Sequence, residues 1–148
     1  MNLKKAINRQ AVCLHLKSET KDDVIEELVD VLDRSGALKD RKAVLQAVRD
    51  RERKLSTGMQ NGIAIPHGKA DTVNSLVAAV GLRPEGIDFE AIDDEPCTIF
   101  ILTVSPANRT GPHVQFLAEI SRLLNDESVR HSLLTAKSEE EVIRALTG

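Results

Sequence analysis

Apolar residues recur along the chain with two different spacings, and each spacing predicts a different kind of element. The short alternating run VCLHL, residues 12–16, predicts an early strand. The apolar residues that follow are three and four positions apart, which predicts a helix that begins after Thr20, with Asp23 in a capping-box-like position, and ends at Gly36. The buried face of this helix is predicted to contain Val24, Ile25, Leu28, Val29 and Leu32.

A second helix is predicted to begin after Asp40, a suitable N-cap residue, and to continue to about Arg53. Its apolar positions are Val44, Leu45, Ala47 and Val48. The glycine-containing segment STGMQNGIAIPHGK, residues 56–69, follows this helix.

The middle of the chain predicts strands, which would occupy residues 63–65, 75–82, 87–89 and 97–104. Turn signals separate them at Pro84-Glu85-Gly86 and at Asp93-Asp94-Glu95-Pro96. The run 97–104 is apolar throughout, so we expect a central strand that is covered on both faces.

Helical spacing returns near the end of the chain. Pro112 is expected at the start of a third helix, and Ser138 with Glu141 is expected to cap a last one. The order of helices, strands and helices along the chain predicts an α/β fold. We expect a single-domain sandwich, residues 1–148, whose mixed central sheet of about five strands is flanked by helices on both faces. The apolar residues of these two helices are Phe116, Leu117, Ile120, Leu123 and Leu124, and then Val142, Ile143 and Leu146.

Composition excludes several classes of protein. With 148 residues, 41% of them hydrophobic and 29% charged, the chain is globular. The 20 basic and 23 acidic residues are intermixed and Trp and Tyr are absent, so no nucleic-acid interface is expected. The longest uncharged stretch, from Pro96 to Asn108, is too short to span a membrane, and the N-terminal residues are too polar for a signal peptide. We therefore expect a cytoplasmic protein without direct membrane insertion.

Neither a metal nor a cofactor is expected. Cys13 and Cys97 both lie in apolar, strand-like runs, where a reduced thiol packs as a small hydrophobic group. No H-x-x-x-H, H-x-H or C-x-x-C spacing supplies a rigid pair of metal ligands, and no G-x-x-x-x-G-K-[ST] pattern supplies a nucleotide-binding loop.

His67 lies in an unusual local sequence. Pro66 has a fixed φ and holds Ile65 extended, and Gly68 is expected to let the chain turn directly afterwards, so the imidazole would be presented at a strand end. A neutral imidazole is a good nucleophile at pH 7 and could attack a phosphoryl group. For one loop histidine taken alone, a hydrogen-bonding role within a turn is the better-supported alternative.

Arg51 is the arginine of the run VRDRERK that faces the body of the protein. On a helical wheel it lies roughly 60° from Val48, whereas Arg49 and Arg53 point about 100° and 140° away. A half-buried guanidinium needs an anion, and phosphate suits its geometry. The alternative is an arginine whose stem packs while its charged end reaches solvent or an aspartate.

His113 follows Pro112 in the first turn of the third helix and faces inward with Phe116. A helix N-terminus offers unpaired N–H groups and a positive dipole end, so this histidine could help to hold an anion. A satisfied buried histidine is the alternative. His15 and His131 have no such setting, and we expect solvated or structural roles for both.

The segment around His67 resembles a known family, the enzyme IIA domain of the fructose/mannitol type from the bacterial phosphoenolpyruvate-dependent phosphotransferase system, including its nitrogen-regulatory branch. The resemblance covers essentially the whole chain. One departure is Gln60, where many members have a second glycine. The matching residues of the family signature are Ser56, Thr57, Gly58, Gly62, Ala64, Ile65, Pro66, His67 and Gly68.

The resemblance implies that His67 is phosphorylated by the histidine phosphocarrier protein HPr or a paralogue, and that Arg51 and His113 are the family's conserved arginine and second active-site histidine. Two functions remain open. The protein could pass the phosphoryl group to an enzyme IIB domain of a sugar permease, or it could end the relay and control partner proteins by its phosphorylation state. The residues implied to form a phosphate-binding loop are Thr57, Gly58, Asn61 and Gly62.

Overall fold

A mixed five-stranded sheet lies at the centre of the protein, with helices on both of its faces, as the sequence predicted. The computed structural model describes residues 3–7 and 9–147; Met1, Asn2, Asn8 and Gly148, which the predicted domain includes, lie outside the described residues. The elements are α1 (Leu3–Ala6), a 3₁₀ turn (Arg9–Ala11), β1 (Val12–Cys13), α2 (Lys21–Arg34), α3 (Arg41–Lys54), β2 (Ile63–Ala64), β3 (His67–Ala70), β4 (Val77–Ile87), β5 (Cys97–Pro106), α4 (Gly111–Leu124), α5 (Glu127–Leu134) and α6 (Glu139–Thr147).

The strand order places β5 next to the edge that carries His67. The order is β1-β4-β5-β2, and β3 also pairs with β5. β4 runs antiparallel to β5, whereas β2 and β3 both run parallel to it, with Ile63 opposite Ile99 and His67 opposite Thr103. β2 and β3 are therefore two pieces of one edge strand, interrupted at Ile65-Pro66.

β5 is covered on both faces, which confirms the prediction for residues 97–104. Phe100, Leu102 and Val104 belong to the apolar core beneath α2 and α3. Ile99 and Ile101 belong to the core beneath α4, α5 and α6. This alternation is what a strand between two helical layers requires, because successive side chains point to opposite faces.

The predicted helix boundaries are confirmed by their caps. Thr20, Asp40 and Ser138 each accept a hydrogen bond from the backbone N–H group three positions further along the chain. Gly36 follows α2 with a φ of +87°, a conformation that glycine adopts without steric cost.

Two strand predictions are wrong. β1 contains only Val12 and Cys13, so His15 lies in an exposed bend rather than in a strand. The predicted strands 75–82 and 87–89 form one strand, because β4 continues through Pro84 and Gly86 and regains its pairing at Ile87, opposite Cys97. The Pro-Glu-Gly signal marks an irregular stretch within the strand and not a turn between two strands.

Both cysteines are free thiols. Burial raises the pKa of the Cys97 thiol to about 11, so this side chain is protonated at neutral pH and packs in the core. Among residues 3–7 and 9–147, no helix is both long enough and apolar enough to cross a membrane.

Candidate active site

Three sequence-predicted residues meet at one end of the sheet, although they come from different elements. His67 opens β3 and His113 lies in the first turn of α4, and their ring centroids are 4.8 Å apart. Arg51 lies in the last turn of α3, and its charge lowers the pKa of both histidines, although burial lowers each of them more. The site is therefore built where α3, β3 and α4 converge.

Gly68 has a different role from the predicted one, because the chain does not turn there. It continues β3, and a Cβ at this position would lie 3.0 Å from the backbone nitrogen of Val48 and 3.1 Å from its Cγ2. Gly68 thus allows α3 to pack directly against the edge strand. Since side chains alternate along a strand, His67 points to the opposite face, toward α4.

The His67 ring is oriented by the backbone just before it. Its Nδ1 lies 3.0 Å from the carbonyl oxygen of Ile65. A carbonyl can only accept, so a neutral ring carries its proton on Nδ1 and has its lone pair on Nε2. Burial lowers the pKa of His67, and the Ile65 bond opposes this shift only in part. At pH 7 the ring is neutral, and its lone pair is on Nε2.

His113 is more deeply buried, with 8% of its surface exposed. Burial lowers the pKa of His113 to about 4, and the positive charges of Lys69 and Arg51 act in the same direction. Its Nδ1 is buried without a hydrogen-bond partner among the described residues. Thr110, the residue that precedes α4, makes no side-chain capping bond, so the positive end of this helix adjoins the histidine pair. Because cationic groups and a helix dipole surround the histidine pair, this site favours the binding of an anion.

Arg51 is half-buried, as its position on the helical wheel predicted. Its Nη1 donates to the carbonyl oxygen of Leu55 at 2.8 Å, which uses one of the five N–H donors of the guanidinium. Arg49 and Arg53 instead form ion pairs with carboxylates of α2 and α3. The three arginines therefore differ in environment, and Arg51 is the one directed toward the histidines.

The resemblance implied that the loop residues Thr57, Gly58, Asn61 and Gly62 bind phosphate. In the structure, the backbone N–H groups of three of these four residues are already bound within the protein. These bonds join Thr57 N to Glu52 (2.7 Å), Gly58 N to Ser56 (3.1 Å) and Asn61 N to Asp93 (3.3 Å). In this arrangement they hold the loop and do not point free donors at a ligand. Gly62 has a φ of +76°, and a Cβ there would meet Thr98 Oγ1 at 2.9 Å, which gives it a steric role.

Sequence reasoning missed Glu52, a carboxylate with 7% of its surface exposed. The signal was available, because Glu52 lies about 40° from Val48 on the same wheel, closer to the apolar face than Arg51. It was obscured by the charged run in which it lies. Within the described residues, no group of three His, Cys, Asp or Glu side chains could hold a metal ion.

The chain is similar in sequence to known proteins. A family model described as "Phosphoenolpyruvate-dependent sugar phosphotransferase system, EIIA 2" matches residues 5–148. The "PTS system fructose-specific EIIA component" of Haloferax volcanii is 38% identical over 133 residues, which cover 90% of this chain and 86% of that protein. The "PTS system fructose-specific EIIABC component" of Bacillus subtilis is 35% identical over 97% of this chain, which spans only 22% of that longer protein.

A regulatory relative and solved structures are also similar. The "Nitrogen regulatory protein" of Escherichia coli is 30% identical over 99% of this chain and 90% of its own length. The crystal structure of nitrogen regulatory protein IIA-Ntr from Neisseria meningitidis superposes with a TM-score of 0.90 at 30% identity, covering 98% of this chain and 99% of that one. The mannitol IIA of Escherichia coli superposes with a TM-score of 0.81 at 27% identity, covering 95% and 98%. The chain with this histidine pair thus belongs to the phosphoenolpyruvate-dependent sugar phosphotransferase system EIIA 2 family.

Proposed function

We propose that this protein is a phosphoryl carrier that accepts a phosphoryl group on Nε2 of His67 from a histidine phosphocarrier of the HPr type and passes it to an enzyme IIB domain. The observation that carries the proposal is the orientation of His67, whose Nδ1 is bound to the Ile65 carbonyl at 3.0 Å. That bond leaves Nε2 with the lone pair, beside a second histidine and an arginine. Membership in a family of phosphotransferase components supports it.

The transfer itself needs little covalent chemistry from the protein. The Nε2 lone pair of His67 forms the new P–N bond as the P–N bond of the donor phosphohistidine breaks, in line with it. The leaving imidazole keeps the electron pair, and Nδ1–H of His67 remains bound to Ile65. The protein mainly aligns the reactants and neutralises the charge on the phosphoryl oxygens.

In this proposal Arg51 neutralises that charge, and His113 stabilises the phosphoryl oxygens as a hydrogen-bond donor. The guanidinium of Arg51 offers charge-assisted hydrogen bonds, which are shorter and stronger than neutral ones. His113 is neutral at pH 7 because burial lowers its pKa to about 4, so it acts as an N–H donor and as a lining of the pocket. The N-terminus of α4 adds the positive end of its dipole.

The surface around the site supports a protein partner. Leu55, Ile92 and Val114 are large apolar residues with 70%, 72% and 62% of their surface exposed. Leu55 binds Arg51 through its carbonyl, the backbone N–H of Ile92 binds Gly58, and Val114 follows His113. We name these three residues the apolar rim and propose that the phosphocarrier and the IIB domain both dock on it. A solved complex joins the mannitol IIA of Escherichia coli, a structural relative, to a phosphorylated IIB.

The first test follows the phosphoryl group. Incubation with a phosphorylated carrier should give one acid-labile phosphoryl group, detected by mass spectrometry, and His67→Gln should abolish it. Arg51→Ala should slow its formation by about tenfold to a few hundredfold, because charge-assisted hydrogen bonds contribute about 1.5–3 kcal/mol each. His131→Gln, at an exposed histidine of α5, is the control and should react like the wild type. Label that persists in His67→Gln contradicts the proposal.

A second candidate function is a nitrogen-regulatory phosphoprotein that ends the relay and controls partners by its phosphorylation state. The structural similarity to IIA-Ntr, with a TM-score of 0.90, favours it. The labelled protein should be mixed with each IIB domain of the same cell. Transfer to one of them supports the carrier role, whereas retention of the label with all of them supports the regulatory role.

A further inference from the structure

Glu52 is buried beside the site, and its carboxylate binds Thr57 and Lys21. Both of its carboxylate oxygens are bound: Oε1 accepts from the hydroxyl of Thr57 at 2.6 Å and Oε2 accepts from its backbone N–H at 2.7 Å. Lys21 of α2 places its ammonium 3.0 Å from Oε2. A buried carboxylate is costly unless it is paired and hydrogen-bonded, and here it is both.

These bonds are the first step of a continuous path to His67. The carbonyl oxygen of Thr57 accepts from the backbone N–H of Ile65 at 3.2 Å. The carbonyl of Ile65 in turn binds Nδ1 of His67 at 3.0 Å. The Thr57 and Ile65 peptide groups therefore connect the Glu52 carboxylate to the imidazole.

The path is anchored on its outer side by Lys21, whose side chain is only 18% exposed. Its Nζ lies 3.3 Å from Ser56 Oγ and 4.9 Å from the centroid of the Phe89 ring. Ser56 donates to the Phe89 carbonyl at 2.8 Å and accepts from Gly58 N–H at 3.1 Å. The entry of the loop is thus tied to α2, to α3 and to the segment that follows β4.

We propose that Glu52 is a positioning residue of this site, which holds the Thr57 and Ile65 peptide groups so that the His67 ring keeps its proton on Nδ1 and presents Nε2. This inference rests on the proposed phosphoryl transfer for its kinetic consequence, but its structural consequence exists in the unphosphorylated protein. Arg51 and Glu52, both near the end of α3, then have separate roles. Arg51 stabilises the charge of the phosphoryl group, and Glu52 orients the nucleophile.

The main test compares Glu52→Gln with the wild type. Glutamine has no charge and only one acceptor oxygen, so the ion pair to Lys21 is lost and the Thr57 hydroxyl, which donates to Glu52, has to accept from the amide instead. Imidazole ¹⁵N chemical shifts of the unphosphorylated protein should show the Nδ1–H form of His67 in the wild type and a mixture of tautomers in the variant. The maximum rate of phosphoryl acceptance should fall about tenfold, with an unchanged carrier concentration at half-maximal rate, because the apolar rim is untouched.

Thr57 tests the same path from its other end, in case Glu52→Gln fails to fold. Thr57→Val removes the hydroxyl donor and should shift the tautomer mixture and the rate in the same direction, and Thr57→Ser should restore both. In the double variant with Glu52→Gln, the decreases in maximum rate caused by the two substitutions should not add, because both act through one path. Asp50→Asn, a half-exposed carboxylate on α3 paired with Arg53, is the matched control.

The outcomes separate this inference from the proposed function. If Glu52→Gln and Thr57→Val both keep the wild-type tautomer and maximum rate, the positioning role is wrong. If the wild type accepts no phosphoryl group while the tautomer changes as expected, the proposed function fails and the positioning role stands. A rise in the half-maximal carrier concentration alone would indicate a docking role for Glu52 and would overturn the inference.

Discussion

At the scale of single residues, the site combines two neutral histidines with one cation. Burial lowers the pKa of both rings, and Arg51 adds to the effect because a nearby positive charge disfavours a second one. Burial, together with the charge of Arg51, thus keeps Nε2 of His67 unprotonated at neutral pH, and the same positive charge would attract an incoming phosphoryl group. One set of side chains therefore serves both requirements.

His113 should make the stability of the protein depend on pH. Its folded-state pKa is lowered from 6.5 to about 4, so between these values the unfolded chain binds more protons than the folded one. The stabilisation from burying the neutral ring is fully present above pH 6.5 and is lost as the pH falls toward 4. Urea unfolding at a series of pH values should show this decline, and His113→Gln should flatten it.

The exposed variant His131→Gln is the control for this measurement and should keep the wild-type slope. If His113→Gln loses stability over this pH window as steeply as the wild type, then His113 is not the group that titrates.

The residues of the site were predictable to different degrees. Local sequence and helix periodicity single out His67, Arg51 and His113, which the structure places near one another. The bonds of the loop were not predicted, because the partner of Asn61 is Asp93, which only the tertiary fold brings near, and because Glu52, the local partner of Thr57, lies in a charged run that hid its burial. A glycine-rich segment indicates an unusual backbone, but it does not say whether its N–H groups face a ligand or another part of the protein.

At the scale of elements, the contact between α3 and β3 sets the distance from Arg51 to His67. Gly68 allows this contact, since any larger side chain would meet Val48. The four predicted helices were located well because their caps and periodicity are local features, whereas α1 and α5 were not predicted. The ends of β1 and β4 were predicted wrongly, because a strand extends only as far as it pairs with its neighbour. β1, for example, pairs with Val80 and Gly81 of β4.

Gly68→Ala should therefore disturb both stability and transfer. The added methyl group would push α3 away from the edge strand, at a cost of about 1–3 kcal/mol in the free energy of unfolding. It should also slow phosphoryl acceptance, because Arg51 moves with the helix. Urea unfolding and the labelling assay measure the two effects. Gly111→Ala is the matched control, because a Cβ there meets nothing within 4 Å; equal effects in both variants would argue against the packing role.

At the scale of the whole molecule, we propose that the apolar rim and the two histidines form one functional surface. Exposed large apolar residues are ordinary when they are scattered, but these three adjoin the same site. The rim was not predictable from sequence, because Leu55, Ile92 and Val114 are far apart in the chain and their exposure depends on the fold. A partner that docks there would cover the phosphoryl group and exclude water from it.

Ile92→Asp should weaken docking without altering chemistry. A charge at a desolvated position of an interface is unfavourable, so the carrier concentration at half-maximal rate should rise about tenfold or more while the maximum rate stays within about twofold. The melting temperature should remain that of the wild type, since the side chain is 72% exposed. Ser132→Asp adds the same charge to an exposed position of α5 and should have no effect. A fall in the maximum rate with unchanged half-saturation would contradict the rim's role.

The interruption of the edge strand has a further consequence, for self-association. An uncovered sheet edge offers backbone groups that can pair with another chain and start aggregation. Here the loop covers β2 through the bridge between Gly58 and Ala64, and Pro66, which lacks an N–H group, separates β2 from the four-residue β3, which carries the exposed Lys69. Short pieces, a proline and an edge lysine are features that discourage pairing. The proline that stiffens the backbone before the nucleophile thus also protects the protein from joining its sheet to that of a second copy.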